Sequence, residues 1–149
     1  ARKWPIDVDV SARYTFSRAT FVTGANEGRL LPYAPLHAVS ANLDIEHPSG
    51  VGGQVAYTFT SDQFTDTLNT AAPDTTGRVG LLGSRNIVDM TAHYNHKRSG
   101  LSFRLSVKNA FDDVYIVGRR PEGVFPAGYR QIVLGARWTY ESAPPKEAP

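Results

Sequence analysis

Residues 101–108, with the sequence LSFRLSVK, alternate apolar and polar side chains without a break. Successive side chains of a β-strand point to opposite faces, so this stretch predicts a strand with one apolar face and one charged face. In a soluble sandwich the apolar face points inward, whereas in an outer-membrane barrel it points outward into lipid. The alternation of this stretch by itself fits both cases.

The same alternation recurs along the chain, in residues 6–17, 37–46, 54–60, 87–95 and 131–140. Together with residues 101–108, these segments predict about six strands. Several approach the length of about 9–11 residues with which a tilted strand crosses a bilayer. No segment has a helical period, and no apolar run reaches the roughly 20 residues of a membrane-spanning helix.

The connections between the predicted strands alternate in length. Residues 47–53 and 97–100 form short turns that contain glycine, while three connections are long and rich in Gly, Pro and polar residues: 22–35, 61–85 and 117–129. This alternation places all the short turns at one end of the sheet and all the long loops at the other. Outer-membrane barrels have this asymmetry, with short periplasmic turns and long extracellular loops.

Trp138 and Tyr140 lie at the end of the last predicted strand, on its apolar parity. Aromatic residues are enriched at this position in membrane barrels, at the boundary between lipid and water. The pattern therefore favours an all-β fold, a transmembrane antiparallel up-and-down β-barrel. Lipid is expected on the face of Leu101 and Phe103, and water on the face of Arg104 and Lys108.

The composition limits the functions open to the chain. It has no cysteine, so it has no disulfide framework and no thiolate metal site. The net charge of +2 includes no long basic run, and nucleic acid is not an expected partner. Residues 24–28, with the sequence GANEG, lack the strand and helix that a phosphate-binding loop needs. No nucleophile and base occur in a recognisable arrangement, so an enzyme is not expected.

Histidine supplies no predicted metal site. His93 and His96 are three residues apart, which on a strand places them on opposite faces. His37 and His47 have no cysteine or histidine partner at the spacing of a zinc site. We therefore predict no bound metal, with these side chains at the surface or in the water-filled interior.

The stretch VKNAFDDVYIVGRRPEGVFPAGYRQIVLGARWTY, residues 107–140, resembles the C-terminal signature of TonB-dependent outer-membrane receptors. Residues 28–50 and 61–70 resemble a loop and strand of the same family and the start of its next extracellular loop. The resemblance is to receptors of the ferric-citrate and ferric-siderophore type. The signature falls on Asn109, Phe111, Asp112, Tyr115, Arg119, Pro121, Gly123 and Arg130, and its aromatic end on Trp138 and Tyr140.

The resemblance implies a function in active uptake. Receptors of this family are 22-stranded barrels of the bacterial outer membrane, closed by a plug. They bind a scarce iron chelate, cobalamin or a similar ligand outside the cell, and the TonB complex acts on the plug. Residues 1–140 are then expected to supply the last six or so strands, next to the rest of the barrel, the plug and outer-membrane lipid with its lipopolysaccharide. Iron is expected only as transported cargo, with no cofactor, and residues 141–149, rich in proline, are expected to form a disordered tail.

Two sets of residues are candidates for a role in this function. Arginine binds anionic chelates well, because its planar fork meets a carboxylate with two hydrogen bonds. The first set comprises ligand candidates in or beside the long loops: Arg29, Arg78, Arg85, Arg119, Arg120 and Tyr129. The second set comprises the structural residues of the family motif: Asn109, Phe111, Asp112, Tyr115, Arg130, Trp138 and Tyr140. Asn109 and Asp112 are expected to bond local backbone where the strand bends into the loop.

Other interpretations of these residues remain open. The loop arginines have acidic side chains nearby with which to pair, and lipopolysaccharide phosphates are a further alternative; the acidic residues are Glu27, Asp66, Asp74 and Glu122. A passive outer-membrane porin explains the strand pattern equally well. A soluble lipocalin-like binder is a third possibility, and it differs in needing no detergent for extraction.

Overall fold

The computed structural model describes residues 5–140, and these residues form ten β-strands and no helix. None of them belongs to a helix long and apolar enough to cross a membrane. The prediction for the tail 141–149 lies outside the described residues. The strands are β1 (Asp7–Phe16), β2 (His37–Glu46), β3 (Val51–Thr60), β4 (Gln63–Phe64), β5 (Leu81–Leu82), β6 (Arg85–His96), β7 (Leu101–Lys108), β8 (Ile116–Arg120), β9 (Gly123–Pro126) and β10 (Gln131–Trp138).

Six of these strands form one antiparallel sheet in the order β1-β2-β3-β6-β7-β10. Each pair of neighbours in the sheet consists of long strands that follow one another along the chain, so the sheet is a simple up-and-down meander. The other four strands form two small antiparallel pairs, β4 with β5 and β8 with β9. The all-β, antiparallel prediction is therefore confirmed, although residues 5–140 do not close into a barrel.

The register of the sheet keeps the two kinds of side chain on separate faces. One cross-strand row consists entirely of apolar residues: Val10, Leu43, Val55, Met90, Val107 and Ile132. A second row, three residues away along each strand and therefore on the other face, is polar or glycine throughout: Asp7, Glu46, Gly52, His93, Arg104 and Gly135. Because a slip of one residue would exchange the two faces, this register extends the alternation of single strands to the whole sheet.

The apolar face remains exposed. Leu82, in a loop, is the only hydrophobic residue among the described ones that is fully buried. On the edge strands of the sheet, Val10 is 71% exposed and Leu134 is 78% exposed, and the cross-strand neighbour of each is a leucine. Soluble monomers rarely expose apolar patches larger than a few hundred Å². A sheet of this kind therefore needs an apolar medium or partner against this face.

Aromatic side chains lie at both ends of the apolar face, with aliphatic side chains between them. Near the long loops, Tyr14 lies opposite Val39 on β2, and Val39 lies opposite Phe59 on β3. At the other end, Tyr94 lies opposite Phe103, and Trp138 lies opposite Leu101. This order matches the apolar band and two aromatic girdles of membrane barrels.

Both short turns depend on glycine. Gly50 has a φ of 92° and Gly100 a φ of 67°, in the left-handed region that glycine adopts at little cost. A Cβ atom at Gly50 would lie 2.1 Å from the carbonyl oxygen of Asn95, and one at Gly100 would lie 2.1 Å from that of Thr139. The end of the neighbouring strand thus packs directly against each glycine.

The structure corrects several predicted boundaries. The first turn is shorter than residues 47–53, because β3 begins at Val51 and its glycines pair with β6. The long second loop ends at Ser84, since Arg85 already belongs to β6. The last strand ends at Trp138, so Tyr140 lies beyond it, although the Trp138 and Tyr140 rings are 6.1 Å apart.

Candidate ligand-binding site

The three long loops, residues 17–36, 61–84 and 109–130, all leave the sheet at the same end. This loop layer contains most of the buried residues of the described chain, including Leu82, Gln63 and Asn109, with Thr60 and Ser61 at its base. The small sheets β4–β5 and β8–β9 belong to this layer. The loops are therefore a packed layer above the sheet, as a ligand-binding surface on a rigid scaffold needs to be.

Asn69 joins the first loop to the second. Its side-chain oxygen accepts a hydrogen bond from the backbone N–H of Leu30, and its amide nitrogen donates to the carbonyl of Leu30, both at 2.8 Å. Beside it, Arg29 Nη1 donates to the carbonyl of Leu68 at 2.6 Å. Asn69 has a φ of 54°, a conformation that asparagine tolerates better than most residues. The amide thus pairs with the first loop as a strand backbone would.

Tyr33 and Arg119 join the first loop to the third and the second. The Tyr33 hydroxyl donates to the carbonyl of Arg119 and accepts from its backbone N–H at 3.3 Å. Arg119 Nη1 donates to the carbonyl of Gly77 at 2.6 Å, and Arg119 Nε is buried without a hydrogen-bond partner among the described residues. The backbone N–H of Tyr33 also donates to the carbonyl of Phe64 at 2.8 Å. All three loops therefore meet around Tyr33 and Arg119.

Asn109 and Asp112 form the corner at which β7 turns into the third loop. Asn109 Oδ1 accepts from the N–H of Asp113, and its Nδ2 donates to the carbonyl of Asp113, both at 2.9 Å. Asp112 Oδ1 accepts from the N–H of Arg130 at 2.7 Å, and Asp89 Oδ1 accepts from the N–H of Asn109 at 2.8 Å. Both Asn109 and Asp112 have positive φ. These contacts tie the beginning of the loop to its end.

The other residues of the family motif lie around this corner and at the far end of the sheet. Phe111 is 74% exposed, and Tyr115 lies in the loop beneath Arg85. Arg130 Nη1 donates to the carbonyl of Ala110 at 3.4 Å. Trp138 Nε1 donates to the carbonyl of Ser99 at 3.0 Å.

The candidate arginines fall into two groups. Arg29 and Arg119 are half-buried and donate to loop carbonyls, and Arg85 lies 5.6 Å from the centre of the Tyr115 ring. Arg78 and Arg120 are exposed, and Arg120 lies 5.9 Å from the Phe125 ring centre. The first group holds the loop layer together, while the second presents its charge to the surroundings.

None of these arginines pairs with an acidic side chain in the described part of the chain. The ion pair found within residues 5–140 joins His93 Nε2 to Glu46 Oε1 at 3.0 Å, and it lies on the polar face of the sheet. The predicted alternative, in which Glu27, Asp66, Asp74 or Glu122 neutralises the arginines, therefore has no ion pair of 4.0 Å or less to support it. Tyr129 is 72% exposed near the same layer.

Asp74 organises the turn that carries Arg78. A hydrogen bond from the Thr76 hydroxyl, at 2.6 Å, lowers the pKa of the Asp74 carboxyl, and backbone N–H groups of residues 77–79 lower it further. Arg78 N donates to Asp74 Oδ1 at 2.9 Å. The carboxylate is therefore used by its own turn, and the Arg78 guanidinium is left to interact with other groups.

The ion pair between Glu46 and His93 is not evident from the sequence, because the two residues are 47 positions apart. The two residues lie on β2 and β6, with β3 between them. The pair reaches across because residue 52 is glycine: a Cβ there would lie 2.4 Å from Glu46 Oε2 and 2.6 Å from His93 Cε1. Within residues 5–140, no three His, Cys, Asp or Glu side chains group closely enough to hold a metal ion.

Solved structures share this fold. The ferric citrate transporter FecA in its unliganded form matches with a TM-score of 0.75 and 23% sequence identity, over 87% of this chain and 20% of that one. The ferric-catecholate import receptor Fiu from E. coli K12, in its closed form, matches with a TM-score of 0.68 and 21% identity, over 87% of this chain and 18% of that one. The chain thus spans about a fifth of the length of these proteins. No protein-family profile and no curated protein sequence matches it.

Proposed function

We propose that the chain is the C-terminal barrel portion of a TonB-dependent outer-membrane receptor, which takes up a ferric chelate of the siderophore or citrate type. The observation that carries this proposal is the apolar face, which is continuous across six strands and exposed, opposite a face of polar and charged residues. Lipid supplies the apolar medium that this face needs. The six strands are then six of the 22 in such a barrel.

The edges of the sheet support the same proposal. Within residues 5–140, β1 pairs only with β2, and β10 pairs only with β7. In hydrocarbon each unpaired backbone group costs several kcal/mol, so neither edge is stable there alone. The remaining strands of the receptor barrel would pair with both edges, and its plug and the TonB complex would be further partners.

The loop layer supports binding of an anion. Arg78 and Arg120 are exposed there without a carboxylate partner among the described residues, and Arg119, next to Arg120, donates to the carbonyl of Gly77, next to Arg78. The two similar structures are named as a ferric citrate transporter and a ferric-catecholate import receptor. Both kinds of chelate carry anionic oxygen groups, to which an arginine side chain can donate two parallel hydrogen bonds. The proposed role is binding and transport, with no chemical step on the ligand.

Uptake of radiolabelled ferric citrate and of a ferric catecholate by iron-starved cells tests the proposal. Cells that carry the intact protein should accumulate one of these chelates above a deletion strain, and a protonophore should abolish the difference. The double variant Arg78→Gln/Arg120→Gln should lower uptake, while Arg137→Gln, at the other end of the sheet, should not. Uptake that survives the protonophore would instead indicate a passive porin.

A further inference from the structure

The two short turns share a final glycine with positive φ but differ in their side chains. In each, a Ser-Gly pair ends the turn, and the glycine carbonyl accepts a hydrogen bond from the next strand: Asn95 N at 2.8 Å for Gly50, and Thr139 N at 2.9 Å for Gly100. The first turn, residues 47–50, contains histidine and proline but no lysine or arginine. The second contains Lys97 and Arg98 side by side. The turn geometry therefore does not require these two cations.

Two aromatic side chains lie beside the second turn. Trp138 Nε1 donates to the carbonyl of Ser99 at 3.0 Å, which fixes the indole against the turn. Tyr140 packs against the indole, with the ring centres 6.1 Å apart. A space of about 430 Å³ lies between the turn 97–100 and residues 138–140.

The order of side chains along this end of the sheet matches the boundary of a bilayer. The aliphatic residues Leu105 and Leu134 come first, then Phe103 and Trp138, and then the cations of the turn. Hydrocarbon, interface and lipid phosphate follow in the same order, and aromatic residues favour the interface. Neither Lys97 nor Arg98 has a carboxylate within 4.0 Å in the described part of the chain, so both are available to an anion.

We propose that Lys97, Arg98, Trp138 and Tyr140 form a binding site for the headgroup phosphate of an anionic glycerophospholipid. Lysine and arginine bind the phosphate oxygens, and the two rings pack against the glycerol and the upper part of the acyl chains. The site rests on the proposed function, because it requires the apolar face to lie in lipid. It adds a specific lipid contact at the end of the sheet opposite the ligand-binding loops.

Quenching of Trp138 fluorescence by brominated lipids tests the site. The intact protein is reconstituted into phosphatidylcholine vesicles that contain brominated phosphatidylglycerol or brominated phosphatidylcholine. Subtracting the fluorescence of the Trp138→Phe variant from that of the wild-type protein gives the signal of Trp138. The wild-type protein should prefer phosphatidylglycerol. In the variant Lys97→Gln/Arg98→Gln, the preference for phosphatidylglycerol over phosphatidylcholine should fall about fivefold for each cation removed. The control Arg104→Gln/Arg137→Gln removes two cations from the polar face and should keep it.

The outcomes separate this site from the proposed function. An unchanged preference in Lys97→Gln/Arg98→Gln, or equal quenching of the wild-type protein by both lipids, would overturn the site and leave the membrane placement intact. An absence of quenching by either lipid would overturn both. Displacement of phosphatidylglycerol by inorganic phosphate would assign the cavity to free phosphate and overturn the lipid site.

Discussion

Replacing Leu105 with arginine places a charge at the centre of the apolar face. Leu105 lies opposite Ala92 on β6 and Leu134 on β10, so its side chain has only apolar cross-strand neighbours. The next residue, Ser106, points to the other face and lies 3.1 Å from the hydroxyl of Thr91. Two adjacent positions of one strand thus provide a test and its matched control.

The expected cost follows from the depth of Leu105. It is four residues from Leu101, at the turn end of β7, which is about 13 Å along the strand at about 3.3 Å per residue. A strand tilt of about 40° reduces this to a depth of about 10 Å, well inside an apolar band about 25 Å tall. An arginine near the midplane costs about 2–4 kcal/mol. Ser106→Arg loses one hydrogen bond, worth about 1 kcal/mol, and points into water.

Reversible denaturant unfolding of the intact protein in vesicles, followed by tryptophan fluorescence, measures both free energies. Leu105→Arg should lower the free energy of unfolding by about 1–3 kcal/mol more than Ser106→Arg does. Equal costs, or a larger cost for Ser106→Arg, would mean that Leu105 does not face lipid, and the assignment of the two faces would be refuted.

Three further results are expected. On whole cells, a membrane-impermeant thiol reagent should label a cysteine at Thr75 and not one at Ser99; the reverse pattern would invert the topology. Asn109→Ala should destabilise the intact barrel by about 1–3 kcal/mol, because it leaves buried backbone groups of the corner unpaired, and an unchanged unfolding midpoint would contradict this. The lowered pKa of Asp74 means that its turn keeps its full stabilisation above the ordinary carboxyl pKa of 3.8 and loses it as the pH falls below that value. Amide exchange of residues 77–79 should show this loss, and Thr76→Ala should move it to higher pH; an unmoved profile would refute the role of the hydroxyl.

The sequence predicts the long strands well, because alternation over eight or more residues has few explanations other than a two-faced strand. Residues 37–46 and 101–108 coincide with β2 and β7. Most of the hairpin β8–β9 falls in the predicted loop 117–129, since strands of four or five residues carry too little alternation to be recognised. Val51 to Gly53 falls in the predicted turn 47–53, because glycine usually indicates a turn, whereas here Gly52 makes room for the ion pair above it.

The loop layer is less predictable, because its contacts join residues far apart in the chain. Asn69 bonds Leu30 across 39 positions, and Tyr33 bonds Arg119 across 86. Nothing in the local sequence distinguishes Arg119, which donates to a carbonyl, from Arg120, which is exposed. The arginine side chains alone therefore indicate an anion-binding surface, and the structure is needed to separate the residues that build the layer from those that are exposed on it.

Spin-label accessibility measures directly which face of β7 lies in lipid and which lies in water. Single nitroxides at residues 101–108 of the reconstituted protein are exposed in turn to oxygen, which concentrates in lipid, and to a polar nickel complex, which stays in water. We expect oxygen accessibility to peak at every second position, in phase with Leu101, Phe103, Leu105 and Val107, and nickel accessibility to peak at the positions between them. The opposite phase, or no period of two, would contradict this expectation.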